Sequence, residues 1–167
     1  NSLLNESIND VLSKAPMYRL TDLLTSSKPS DVKVDTIDER KVAVIRIPSS
    51  FMRIASITDA AFKRPIVDLA IHGDAVDNMQ HNPYLMAKNA KPVGVLEANP
   101  YGEREIRCYS YSHADTPNPT ALYIERFNGS LDISSEITID DYLADIISWV
   151  CAGKVFVAEG FADRGKV

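Results

Sequence analysis

The chain has 167 residues, 45% of them hydrophobic and 25% charged, and its 18 basic and 23 acidic side chains leave a net charge of −5. That length suits one domain, with room for an inserted sub-domain, and suffices to bury a core. The acidic balance provides no basic face for clamping nucleic-acid phosphates, and no apolar run reaches the ~18–20 residues that span a bilayer.

No signal-peptide pattern opens the chain. It begins at Asn1 and ends inside a helical pattern, which leaves room for further residues at both ends. Cys108 and Cys151 are far apart, and each sits in an apolar pattern. They read as buried free thiols rather than a disulfide or a metal site, which suits a reducing cytoplasm.

In chain order, Ser2 to Ala15 reads as an amphipathic helix with Leu3, Leu4, Ile8, Val11 and Leu12 on its apolar face. Pro16 should end it. Met17 to Leu24 reads as a second short helical or irregular piece, and Ser26 to Asp31 as a loop. From Val32 the period changes to two. Val32 to Val34, Lys41 to Ile47 and Met52 to Thr58 read as strands, with a turn at Thr36 to Arg40. Arg64 to Val67 can open another short strand, Gly73 to Met79 a short helix, and His81-Asn-Pro83 a turn. Pro92 to Ala98, Glu105 to Tyr111 and Thr120 to Phe127 are further strands. In the second of these, Ile106, Cys108 and Ser110 alternate with Tyr109 and Tyr111. Asn99-Pro-Tyr-Gly102 and Pro117-Asn-Pro119 are turn signals. These spacings predict antiparallel hairpins rather than βαβ units.

Thr138 to Val167 reads as one long helix, with Thr138 and Asp141 as a capping-box-like pair. Leu143, Ile146, Ile147, Val150, Val155, Phe156, Val157 and Phe161 form a stripe that Trp149 and Cys151 widen. That stripe is too broad for a free-standing surface helix, so it argues for packing and assembly. Gly153 and Gly160 would each cost about 1 kcal/mol relative to Ala in an exposed helix, so close packing explains them better. The expected fold class is α+β. N- and C-terminal helices (1–30 and 136–167) pack together as one structural domain, with an antiparallel β-rich insert (31–135) between them.

Searching the chain for chemistry yields little. His72 and His81 bracket Asp74 and Asp77, and His113 lies further on, but the spacing matches no metal-ligand pattern. Asp140, Asp141 and Asp145 are explained by helix-cap electrostatics. There is no Gly-rich phosphate loop after a strand and no nucleophile elbow. The expectation is therefore no catalytic residues, no cofactor and no metal. Tyr101, Tyr109, Tyr111 and Tyr123 admit an aromatic platform, although alternating strands more often use such rings as cross-strand pairs or interface residues. Arg46, Arg53, Arg64 and Arg107 sit in the β region, as solvent-facing positions or as inter-subunit ion pairs.

The order of short motifs carries more than any one of them. A helix precedes a β segment that ends in Ile47-Pro48-x-x-Phe51-x-Arg53-Ile54. Arg64-Pro65-Ile66, Gln80 to Tyr84 and Lys91-Pro92-Val93 follow, then strands containing Ile106 with Tyr109 and Tyr123 with Ile124. A helix with Asp145, Trp149, Ala152, Lys154 and Val155 closes the chain. This order, over nearly the whole chain, resembles the head-to-tail adaptor or connector proteins of tailed bacteriophages, including ring proteins of crAss-like phages. Many such proteins carry a longer C-terminal tail.

The resemblance implies a non-enzymatic virion component at the head–tail junction, assembled in the host cytoplasm. It implies a homo-oligomeric ring of about twelve copies, contacting the portal protein and the next tail or ring protein, with genomic DNA passing through the bore. No sequence-specific nucleic-acid binding and no membrane contact are expected, and an acidic subunit suits a channel that does not hold phosphates. The interface residues expected on this reading are Trp149, Phe156, Phe161, Tyr109, Tyr111, Tyr123 and Arg53. Two other readings compete: a carbohydrate- or peptide-binding module using a Tyr-rich sheet face, and a small hydrolase built on His72, Asp74 and His81.

Overall fold

The computed structural model describes residues 2–99, 101–110, 117–129 and 139–159. The chain is mixed α and β, with two sheets and a helix at each end. It divides into two compact units: residues 1–24 with 124–167, and residues 25–123.

The second unit is built on sheets. Strands β2 (Val32–Ile37), β3 (Arg40–Arg46), β5 (Leu69–Ile71), β6 (Val93–Ala98) and β7 (Arg104–Tyr109) form a five-stranded sheet in the order β2-β3-β7-β6-β5. A three-stranded sheet holds β1 (Thr25–Ser26), β8 (Thr120–Glu125) and β4 (Phe51–Thr58) in the order β1-β8-β4. The hairpin β2–β3 turns through two residues, Asp38 and Glu39, with φ of 49° and 63°. A two-residue loop with positive φ at both positions matches the right-handed twist of its strands, even though this one lacks the glycine usually found there. β5 and β6 pair in parallel, Leu69 opposite Gly94 and Ile71 opposite Leu96. That corrects the all-antiparallel expectation. A three-residue strand is too short to show an alternating pattern, so the sequence carries no signal for it.

Both faces of the five-stranded sheet are covered. Ala43, Ile45, Ile106 and Cys108 bury one face with Phe51, Ile57, Ile66, Ala121 and Tyr123. Val42, Val95 and Tyr109 bury the other with Ala87. The interior strand β3 is consequently apolar along its middle without a break, from Val42 to Ile45. A short helix α2 (Ala75–Met79) and the turns after it lie in the segment that supplies Ala87. Buried Gln80 ties this segment together. It donates to the Val76 carbonyl at 2.7 Å and accepts from Ala87 N–H at 2.9 Å, while its own carbonyl accepts from Arg40. At Gly94 a Cβ would lie 2.6 Å from Leu69 Cδ2 and 3.2 Å from Ile66 Cγ2. A side chain there would force the Leu69 side chain to shift.

The first unit is helical. Helix α1 (Ser2–Lys14) ends before Pro16, as expected, and single 3-10 turns follow at Met17–Arg19 and Thr21–Leu23. Asn9 clips the unit together: its side chain donates to the Phe127 carbonyl at 2.9 Å and accepts from Phe127 N–H at 2.8 Å. Asn5 donates to the Gly129 carbonyl at 3.1 Å. The last helix, α3, runs Asp141–Ala158, shorter than the thirty residues expected. Its N-cap is Asp140, whose carboxylate accepts from Tyr142 N–H at 2.9 Å. Thr138, the N-terminal marker expected from sequence, and Gly160 to Val167 lie outside the described residues.

Candidate interaction surface

Helices α1 and α3 contact one another, and an ion-pair cluster bridges them. Lys154 Nζ lies 2.5 Å from Asp10 Oδ2 and 2.8 Å from Glu6 Oε1, so one cation on α3 ties two carboxylates on α1. Leu143 and Ile147 are buried, as is Gly153. The rest of the stripe is not. Ile146, Val150 and Cys151 are half-buried, and Val155, Phe156 and Val157 are exposed. Trp149, with 68% of its surface open, is the most exposed large apolar residue of α3. Tyr142 is open as well. The helix thus buries a narrow strip and presents the remainder.

Beside that strip is a groove of about 560 Å³, floored by Val11, Ala15, Leu143, Ile146 and Val150. One end is built by Arg19. Its guanidinium lies 5.6 Å from the Tyr18 ring centre and 5.4 Å from that of Tyr142, and Nη1 donates to Asp140 at 2.7 Å. The hydrogen bond from Arg19, and then that from Tyr142 N–H, hold the Asp140 carboxyl below its ordinary pKa. Asp140 therefore both caps α3 and shapes the groove. Lys14 stands at the rim. Sequence reasoning missed this cluster, because Tyr18 and Arg19 follow a proline in an irregular piece and meet residues more than 120 positions away. A second hollow of about 490 Å³ shares Lys14 and Val150 and adds Leu3, Glu6 and Val157.

The residues singled out from sequence are scattered by the fold. Trp149 and Phe156 are on the open face of α3. Tyr109 and Tyr123, expected at an interface, are only 2% and 5% exposed in the single chain. Tyr123 packs on Phe51 with ring centres 5.7 Å apart, and burial is the leading cause that raises the Tyr109 pKa. The reason is the double-sided sheet: alternation along β7 separates two cores, not a core from solvent. Arg53 is half-buried on β4. Phe161 and Tyr111 lie outside the described residues.

His72 and His81 have different partners, and His113 lies outside the described residues. His72 Nδ1 is 2.9 Å from Asp77 and 3.6 Å from Glu97, whereas His81 Nδ1 is 2.8 Å from Asp38. Asp74 accepts from Ile71 N–H. Among the described residues no three His, Cys, Asp or Glu side chains are placed to share a metal ion. Around Glu97 the sheet carries a charged patch that sequence reasoning did not assemble. Arg107 Nε is 2.5 Å from Glu97, and Lys33 is 3.2 Å from buried Glu105. Burial raises the Glu97 pKa, and Arg107 and then His72 work against that. The signal was present in the period of two: Val93, Val95 and Glu97 share a face, as do Glu105, Arg107 and Tyr109.

Cys108 and Cys151 are both free, Cys108 buried and Cys151 half-buried. Burial raises the Cys108 pKa far above the ordinary thiol value, which leaves that thiol unreactive. Among the described residues no helix is long and apolar enough to cross a membrane. No protein-family model matches the chain, and no curated protein matches it significantly.

Proposed function

We propose that this chain is a structural virion protein, a ring-forming head-to-tail adaptor between the portal and the tail of a tailed bacteriophage. The observation that carries the reading is the open face of α3. Trp149, Val155, Phe156 and Val157 stand exposed on an 18-residue helix. Large apolar side chains left open on a helix in this number are what an assembly would cover. The element order and short motifs resemble those of the adaptor proteins, and the net charge of −5 suits a bore through which DNA slides without being held. In the proposed particle about twelve copies close a ring at the head–tail junction after assembly in the host cytoplasm, by analogy with those proteins. The paired terminal helices make the ring body, and the β-rich insert touches neighbours or the next ring. The chain runs no reaction on this reading. A tyrosine platform for carbohydrate or peptide is disfavoured, because two of its four rings, Tyr109 and Tyr123, are inside the core.

The test is to purify the chain, mix it with the portal protein encoded by the same genome and image the mixture by negative-stain electron microscopy. Rings stacked coaxially on portal particles are expected. A monodisperse monomer that never joins the portal would overturn the reading.

A further inference from the structure

Helix α3 carries two apolar features that point in different directions. On a helix of 3.6 residues per turn, the groove-lining Leu143, Ile146 and Val150 lie about 120° around the axis from Asp145, Trp149, Ala152 and Phe156. One copy therefore cannot cover its own groove with its own outer face.

The two features match each other in shape and in charge. The outer face places Trp149, Ala152 and Phe156 at i, i+3 and i+7, the anchor spacing of a helix lying in a groove. The groove, at about 560 Å³, is floored by aliphatic side chains and can take large rings. The unpaired charges at their borders are of opposite sign, Asp10 at the groove being already paired with Lys154. Asp141, Asp145 and Glu159 flank the outer face and make no ion pair among the described residues. Lys14 at the groove rim makes none either, whereas the neighbouring Arg19 and Lys154 are already paired.

We propose that copies of this chain join head to tail, the outer face of α3 in one copy docking into the groove between α1 and α3 of the next. Trp149 and Phe156 fill the groove, and Asp145 sits beside the Lys14 of that next copy. Two different patches meet, so the contact is heterologous: it closes into a ring if the rotation between copies divides a full turn, and otherwise runs on as a filament. Closure rests on the adaptor reading. The pairing of the two patches does not.

Charge reversal tests the pairing, with the mass distribution of the full chain measured by mass photometry at low salt. Asp145→Lys and Lys14→Glu, both at exposed positions, should each weaken association about tenfold or more, since like charges then face each other. Both changes together in one chain should restore association, because each lysine then meets a glutamate on the next copy. Circular dichroism of each variant confirms that helix content is kept. Single variants that associate like the parent chain overturn the proposal, as does a double variant no better than the singles. If the parent still forms rings on the portal in that case, the adaptor reading survives and only this pairing of patches fails. If the parent neither self-associates nor joins the portal, both fall.

Discussion

The two units use apolar residues in opposite ways. The β unit hides them on both faces of its sheet: Val42, Ala43, Val44 and Ile45 follow one another on β3, and all are buried. In the helical unit, α3 is apolar over much of its length, yet the buried residues of that helix are Leu143, Ile147 and Gly153. Hydrophobicity in a sequence thus reports two different demands. In β3 it is satisfied within the chain. On α3 much of it stays exposed, and the proposed assembly is what would cover it.

Substitutions should separate these demands. The largest effect is expected where burial is complete. Ile45→Ala or Ile106→Ala should destabilise the chain by about 3–4 kcal/mol in urea titrations, through lost transfer energy plus a cavity. Phe156→Ala should shift the stability of the dilute chain by no more than about 0.5 kcal/mol, while reducing self-association. A large stability loss from Phe156→Ala would erase the contrast.

Next comes the charged patch under β6 and β7. Arg107→Ala strips the buried Glu97 carboxylate of its closest counter-charge and should cost about 3 kcal/mol at pH 7. The sign with pH is fixed. Burial already raises the Glu97 pKa, and losing Arg107 lets it climb further. The variant then takes up a proton at a higher pH than the parent does, and protonation removes the unpaired charge. Its deficit should therefore shrink as pH falls from 7 to 5. A deficit that stays constant over that range would mean Arg107 acts by packing alone.

Smaller effects follow at two backbone positions in the β unit. Gly94→Ala places a methyl group against Leu69 and Ile66 and should cost about 1–3 kcal/mol by overpacking. Faster amide exchange at Leu69 to Ile71 would show that the parallel pairing is what gives way. Glu39→Gly should raise stability by about 0.5–1 kcal/mol, because it removes the side-chain penalty of a positive φ from the β2–β3 turn. A rise in melting temperature checks it.

What the sequence made legible follows from range. Helix α1, its stop at Pro16 and the turn at Asn99–Gly102 are set by residues close together, and the structure has them where expected. In that turn Gly102 N–H donates to the Asn99 carbonyl with φ at 80°. The alternation of Ile106 and Cys108 with Tyr109 was legible too, but its meaning was not. A period of two says that a strand has two faces, and only the Ala87 side of the sheet shows that the second face is also covered. The groove was illegible for the same reason: it needs Arg19 to meet Asp140 and Tyr142, and no local pattern encodes that encounter. The excess apolar surface of α3 was visible in the sequence, and the structure narrows it to Trp149 and the run Val155 to Val157.

The chain has one tryptophan, and it lies on the face at issue. The emission maximum of Trp149, followed as the protein is concentrated and then mixed with portal, reads directly whether that face becomes covered. Assembly through α3 predicts red-shifted, solvent-exposed emission in the dilute chain and a blue shift as assembly proceeds. Emission that stays red in a fully assembled particle would contradict it.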